Sequence, residues 1–203
     1  MSDSAWPARL VDGDVVVRPL VRSDQAAWRR ARQRSAAWLQ PWDATVPPGG
    51  DARPTSFPQL VRRLHRGARA GTTYPFAIEV GGQFAGQITV INIVRGSGLF
   101  ASIGYWLDQE FAGRGVMPRA AALVIDHCFA HGLHRIEVAI RPENSNSLRV
   151  VEKLDIREIG YAPKYLHIDG QWRDHRIYAV TAEECPEGMV RRLREAESHQ
   201  SQE

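Results

Sequence analysis

The sequence predicts an α/β (α+β) fold, a mixed β-sheet with helices on both faces. Three observations predict it. Strand-like and helix-like segments follow in the order β, α, α, β, β, β, α, β, α, β, β. One unit, residues 103–140, runs strand, glycine-bearing loop, helix, strand, and such a unit pairs in parallel through a right-handed crossover. Two dipeptides, Gly81-Gly82 and Asp169-Gly170, lie between alternating apolar runs and close antiparallel hairpins.

Each element follows from local pattern. Residues 1–9 read as a loose N-terminal arm. Asp12-Gly13 is a turn signal, and Val15 to Leu20 is a strand. Ser23-Asp24 caps a helix to about Arg34, whose Arg29, Arg30, Arg32 and Arg34 form either a solvated face or a phosphate-binding one. Trp38-Leu39-Gln40-Pro41-Trp42 reads as a polar loop whose tryptophans are either core anchors or the wall of a substrate cleft. Residues 46–55 are rich in Pro and Gly and read as a mobile loop. A helix over 56–69 carries an apolar stripe of Leu60, Val61 and Leu64. Strands follow at 76–80, 83–94 and 99–107, then the loop Phe111 to Met117 and an apolar helix from Pro118 to about His131, ended by Gly132. Arg135 to Ile140 has few polar residues and reads as a central strand. A helix capped near Asn144 runs to about Leu154, and a hairpin of 157–168 and 172–180 ends the sheet. The charged tail, 183–203, offers one short amphipathic helix around Met189, Val190 and Leu193 before fraying.

The bulk properties narrow the function classes. A chain of 203 residues suits one domain, here 10–182, and buries about 70% of its unfolded surface. The formal net charge is only +3, compatible with an anionic cofactor or a nucleoprotein partner and specific for neither. Cys128 and Cys185 lie far apart, so neither a disulfide scaffold nor a zinc site is indicated. His127 and His131 are four apart on one helix but lack a third ligand, and no metal is expected. No run of 18 apolar residues occurs. The expectation is a soluble cytoplasmic protein with no membrane partner and no direct nucleic-acid partner.

The glycine loop is the most informative stretch. A strand leading into Gly113-Arg114-Gly115 and then a helix start forms an anion site. The glycines let the backbone approach a ligand, and the first helical N–H groups lack internal partners. Pro118 suits a first turn, where its missing N–H costs nothing. Taken alone, the loop is equally a tight strand-to-helix connection.

The wider series of motifs is more specific. Ile103-Gly104-Tyr105-Trp106-Leu107, Gly113-Arg114-Gly115, Leu133 to Glu137, Pro142-Glu143-Asn144, Ser147, Glu152-Lys153-Leu154 and Asp169 to Asp174 occur in order. This series resembles the GNAT superfamily of N-acetyltransferases, and within it the RimJ/RimL-type ribosomal-protein-alanine/serine N-acetyltransferases. Val17-Arg18-Pro19-Leu20, Asp24 and Leu39-Gln40-Pro41-Trp42 match the same subfamily. The resemblance covers about residues 10–182. It implies the GNAT fold, a mixed sheet of about seven strands splayed into a V and flanked by about four helices. It implies acetyl-CoA as co-substrate, with its pyrophosphate on the amides of Gly113, Arg114, Gly115, Val116 and Met117 and its pantetheine arm beside Tyr105, Trp106 and Leu107. Departures are Ala112 for the usual Gln or Arg, Met117 for a small residue, and Asp155-Ile156 for Gly-Phe.

Acetyl transfer needs an uncharged amine, a group to take its proton, and a donor for the departing thiolate. By resemblance Ser147, three residues after Asn144, is the donor. The tyrosine that other members carry seven residues after the asparagine is here Val151. Asn144 is read as either a helix N-cap or a cofactor contact, and Arg149 as a phosphate contact or a solvated arginine. Glu137 is the first candidate base, although alternation does not decide which face it takes. Asp174, Tyr165 and a water chain are the other routes. Trp38, Trp42 and Trp172 are candidates for the acceptor cleft. The expected acceptor is the N-terminal α-amine of a protein, in the subfamily a ribosomal one. The alternatives are a small amine (polyamine, amino acid or antibiotic) or a non-catalytic acyl-CoA-binding module, with a homodimer open in each case.

Overall fold

Strands and helices alternate around one eight-stranded sheet in the computed structural model, which describes residues 5–51 and 56–200. The strands are β1 (Leu10–Asp12), β2 (Val15–Pro19), β3 (Tyr74–Val80), β4 (Gln83–Val94), β5 (Phe100–Leu107), β6 (Arg135–Ile140), β7 (Arg157–Ile168) and β8 (Gln171–Thr181). The helices are α1 (Gln25–Arg34), α2 (Ala36–Leu39), α3 (Phe57–Arg69), α4 (Val116–Ala130), α5 (Ser145–Lys153) and α6 (Met189–Gln200). The strand order is β1-β2-β3-β4-β5-β6-β8-β7. Only β5 and β6 pair in parallel; the other neighbours are antiparallel.

The hairpin turns form where their residues tolerate left-handed backbone. Gly81 and Gly82 have φ of 56° and 79°, and Asp169 and Gly170 have 46° and 78°. Two successive positive φ values match the twist of the flanking strands. Helices cover both faces, so β3 is buried almost throughout. Phe76 and Ile78 face the larger core with α4, while Ala77 between them faces a smaller one with Leu20, Phe57 and Val61. The apolar residues of α4 run all round the helix, and ten of its fifteen residues are buried. At Gly86 a Cβ would lie 2.4 Å from the Trp106 carbonyl oxygen, so only glycine lets β4 pass β5 there.

Four expectations change. A short strand, β1, precedes the Asp12-Gly13 turn. Leu10 to Asp12 lack a strong strand pattern and are held by pairing with β2. Trp38 to Trp42 is helical, as α2 followed by a 3₁₀ turn over Gln40–Trp42. The described part of the N-terminal arm is packed, with Trp6 stacked on Tyr74 at 6.3 Å and edge-on to Phe76 at 5.2 Å. The tail does not fray after a short turn. Helix α6 runs twelve residues with Met189 and Leu193 in the main core. Its Met189 and Val190 N–H groups donate to the Asp126 carboxylate of α4, the latter at 3.0 Å. Residues 52–55 of the expected 46–55 loop lie outside the described residues.

Candidate active site

The sheet opens between β5 and β6. Their pairing covers only Phe100–Ser102 against Arg135–Glu137. Beyond it, Ile103–Leu107 of β5 and Val138–Ile140 of β6 diverge and line opposite walls of a cavity of about 660 Å³. β4 still pairs with the far edge of β5 through Leu107. The near edge of β5 therefore presents main-chain groups to the cavity, as an exposed sheet edge does to an extended ligand.

The glycine loop closes one end. Gly113 and Gly115 have φ of 75° and 70°. A Cβ at Gly113 would meet nothing within 4 Å, so the demand there is for backbone conformation and open approach. Gly115 is the N-cap of α4, and Pro118 takes the third helical position, two residues later than the sequence suggested. The N-terminal end of this fifteen-residue helix carries unpaired N–H groups and partial positive charge. Asp108 anchors the loop. It is fully buried, accepts from the Ser35 hydroxyl at 2.7 Å and from Glu110 N–H at 3.3 Å, and pairs with Arg34. Burial pushes its carboxyl up, but these donors outweigh burial and hold it below the usual carboxylate range. Arg34 thus leaves the α1 arginine run to brace this loop.

Helix α5 closes the other side. Asn144 Oδ1 accepts from Ser147 N–H at 3.1 Å, an N-cap, and both residues also line the cavity, as does Arg149. The Tyr105 hydroxyl is buried beside Ser147 without completing a hydrogen bond. Burial pushes its phenol well above the ordinary range. A buried, unsatisfied hydroxyl on a cavity wall is costly and suits a site whose ligand supplies the partner.

The acceptor end is built from two stretches stitched together. Thr45 N–H donates to the His167 carbonyl at 2.8 Å, and Asp169 N–H donates to the Asp43 carbonyl at 2.9 Å. Trp38 and Trp42 line the cavity there, with the Arg141 guanidinium 5.2 Å over Trp42. Arg32 also turns inward, 5.3 Å over Trp106 and 5.8 Å from the Trp28 ring, and pairs with Asp43. The sequence left Arg32 within a generic arginine run. Its neighbours in the cleft are set by α1 packing across β4, which no local pattern records.

Several expected residues lie elsewhere. Glu137 occupies the last paired rung, before the strands part. It accepts from Arg135 Nε at 2.7 Å and does not line the cavity. Trp172 is 53% exposed, edge-on to His167, and also outside it. Arg114 is exposed, with its guanidinium 5.5 Å over Phe111. Asp174 is engaged by the Tyr161 hydroxyl at 2.6 Å and by Lys164 N–H at 2.7 Å. The next residue, His175, faces the other way on β8. It is 3% exposed and lines the cavity. Sequence reading passed over it, although strand alternation places it opposite Asp174.

An open sheet with a glycine-capped helix at the opening matches a known domain. The sequence profile described as acetyltransferase (GNAT) domain matches residues 14–157. The chain belongs to the GNAT acetyltransferases. Ribosomal protein uS5-alanine N-acetyltransferase of Escherichia coli (strain K12) is 30% identical to this acetyltransferase over 185 residues, 89% of this chain and 94% of that protein. A 96-residue stretch is 41% identical to probable N-acetyltransferase YjcK of Bacillus subtilis (strain 168), and spans 47% of this chain and about half, 53%, of that relative. The solved structure of Mycobacterium smegmatis RimJ in complex with CoA-disulfide superposes with a TM-score of 0.88 at 39% identity, over 95% of this chain and 96% of that one. The GNAT fold and an acetyl-CoA-dependent acetyltransferase activity, expected from the motifs, are both met. The sheet has eight strands where about seven were expected, and six helices are described against about four.

Proposed function

We propose that this enzyme transfers the acetyl group of acetyl-CoA to the N-terminal α-amine of a protein, a ribosomal protein by analogy with the uS5-alanine enzyme of Escherichia coli. One observation carries the choice of acceptor. Among the described residues the only carboxylate lining the cavity is Asp43, and it is already paired with Arg32. Arg141, Arg149 and Lys153 add positive charge around it. Such a cleft attracts the phosphates of acetyl-CoA and repels a polycationic acceptor. A peptide N-terminus brings one ammonium and a neutral main chain, which suits the aromatic wall of Trp38 and Trp42.

In this reading the pyrophosphate rests on the amides from Gly113 to Met117, with Arg149 at its phosphates. The pantetheine arm extends along the free edge of β5 at Tyr105, Trp106 and Leu107. Asn144 both caps α5 and holds Ser147 at the cleft. Ser147 supplies the proton that the departing thiolate needs, with the Tyr105 hydroxyl beside it. Glu137 and Trp172 take no part, because each lies outside the cavity.

The test is CoA release with a panel of peptides bearing free N-termini, beside spermidine, free amino acids and an aminoglycoside. Turnover on peptides, lost when the N-terminus is blocked, supports the proposal. Turnover confined to small amines overturns it.

A further inference from the structure

The amine that attacks a thioester must lose a proton, and the cleft holds one group suited to take it. His175 of β8 is 3% exposed and is the only histidine lining the cavity among the described residues. Its Nδ1 lies 3.0 Å from the Arg173 carbonyl oxygen. A carbonyl only accepts, so Nδ1 carries the hydrogen and donates. That fixes the neutral tautomer and leaves Nε2 with its lone pair, the atom a bound amine can use. The Tyr165 ring of β7 lies edge-on at 5.8 Å and holds the imidazole in place.

We propose that His175 is a catalytic residue of this enzyme, the general base for the acceptor amine. The inference rests on the acetyl-transfer reading above and deepens it. The acceptor arrives as a neutral amine after giving one proton to solvent. Its nitrogen bonds to the acetyl carbon while Nε2 of His175 takes a second proton. The carbon–sulfur bond then breaks, the electron pair leaves with sulfur, and the thiolate takes a proton from Ser147 or from solvent. The imidazolium returns its proton to water, and Ser147, where it was the donor, regains one from water, so the amide, CoA and one net proton are the products.

The surroundings favour the neutral base. Burial pushes His175 below the ordinary histidine value of 6.5, and the Arg141 cation adds to this. The Arg173 carbonyl and the carboxylates of Asp174 and Glu143 pull the other way without prevailing. Arg141 and Glu143 approach the ring from the loop after β6, Arg173 and Asp174 flank it along β8, and Tyr165 meets it from β7. The base is therefore in its working form at neutral pH, the condition for efficient proton transfer.

The test compares wild type, His175→Gln and His175→Ala with acetyl-CoA and an alanine-initiated peptide. Acetyl-CoA affinity by calorimetry should stay within about threefold, while kcat falls about a hundredfold or more. Wild-type kcat/KM should fall with a two-proton slope at pH below the His175 value, which lies under 6.5, one proton going to the acceptor amine and one to the imidazole. The glutamine variant should keep only the one-proton limb of the amine, and added imidazole should restore part of the His175→Ala rate. An unchanged rate and a two-proton limb in the variants overturns the proposal. The wild-type profile needs no variant, and a one-proton limb throughout also overturns it. If wild type acetylates only small amines, the protein-acceptor reading falls and the same comparison, run with that amine, still decides the role of His175.

Discussion

The Ser35 hydroxyl donates to the Asp108 carboxylate at 2.7 Å, and the two residues are 73 positions apart in the chain. The bond joins the α1–α2 junction, which leads into the helix carrying Trp38, to the end of β5, where the glycine loop begins. One buried carboxylate thus sets the position of both the acceptor wall and the phosphate loop. Asp108→Ala removes the acceptor and strands Ser35. It should cost about 2 kcal/mol, less than a fully buried pair because Arg34 is half exposed. Ser35→Ala should cost about 1 kcal/mol. Denaturant unfolding of the two single variants and the double variant checks both values, and they should not add.

The same carboxyl gives a pH signature. Its native pKa lies below the ordinary value of 3.8. The stabilisation is therefore present above that value and is lost as pH falls through the native pKa beneath it. Wild-type stability should decline in this acid window, and Asp108→Asn should show a shallower decline. Thermal melts between about pH 2.5 and pH 6 measure it.

Tyr105→Phe separates stability from function. The phenol hydroxyl is buried without a partner. Removing it should leave the melting temperature unchanged or raise it by a few degrees. If the hydroxyl assists Ser147 during turnover, kcat should drop while that stability holds. A variant with wild-type kcat removes Tyr105 from the chemistry.

Met189 tests whether the C-terminal helix belongs to the core. It is fully buried at the start of α6. Met189→Ala should destabilise by about 2–4 kcal/mol. Trp172→Ala, at 53% exposure, should cost under about 0.5 kcal/mol. Urea unfolding of both variants makes the comparison.

Much of this architecture was legible in the residues. Gly81-Gly82 and Asp169-Gly170 predicted their hairpins because two left-handed positions in a row have few solutions. The β5–loop–α4–β6 unit was legible because period 2, glycines and a helix start follow in order. The position of Tyr105 in the cleft follows from it, whereas Ser147 on α5 came from the family resemblance. The face of Glu137 stayed open because its surroundings depend on where β5 and β6 stop pairing. That point is set by the whole sheet, since alternation gives a side chain's face but not where the sheet splits. His175 was missed for a related reason. Its chemistry comes from burial and from a hydrogen bond to Arg173, neither visible in a strand of mixed polarity. The docking of α6 needed Asp126 and Asp12 to be near in space, though 63 and 182 positions away from their partners Met189 and Arg194.

The glycine loop can be probed by two substitutions at one position. Gly115 has φ of 70°, which Asn tolerates and most residues do not. Gly115→Asn should keep acetyl-CoA affinity within about tenfold. Gly115→Glu places a carboxylate at the helix terminus and should abolish binding. Calorimetry measures both, with circular dichroism as the folding control. Equal affinity in the two variants removes the loop from the phosphate site.

The most direct measurement is mass spectrometry of a peptide that has both a free alanine N-terminus and an internal lysine, incubated with enzyme and acetyl-CoA. One acetyl group is expected, on the α-amine, and none on the lysine. Acetylation of the lysine alone, or an untouched peptide beside an acetylated polyamine, would contradict it.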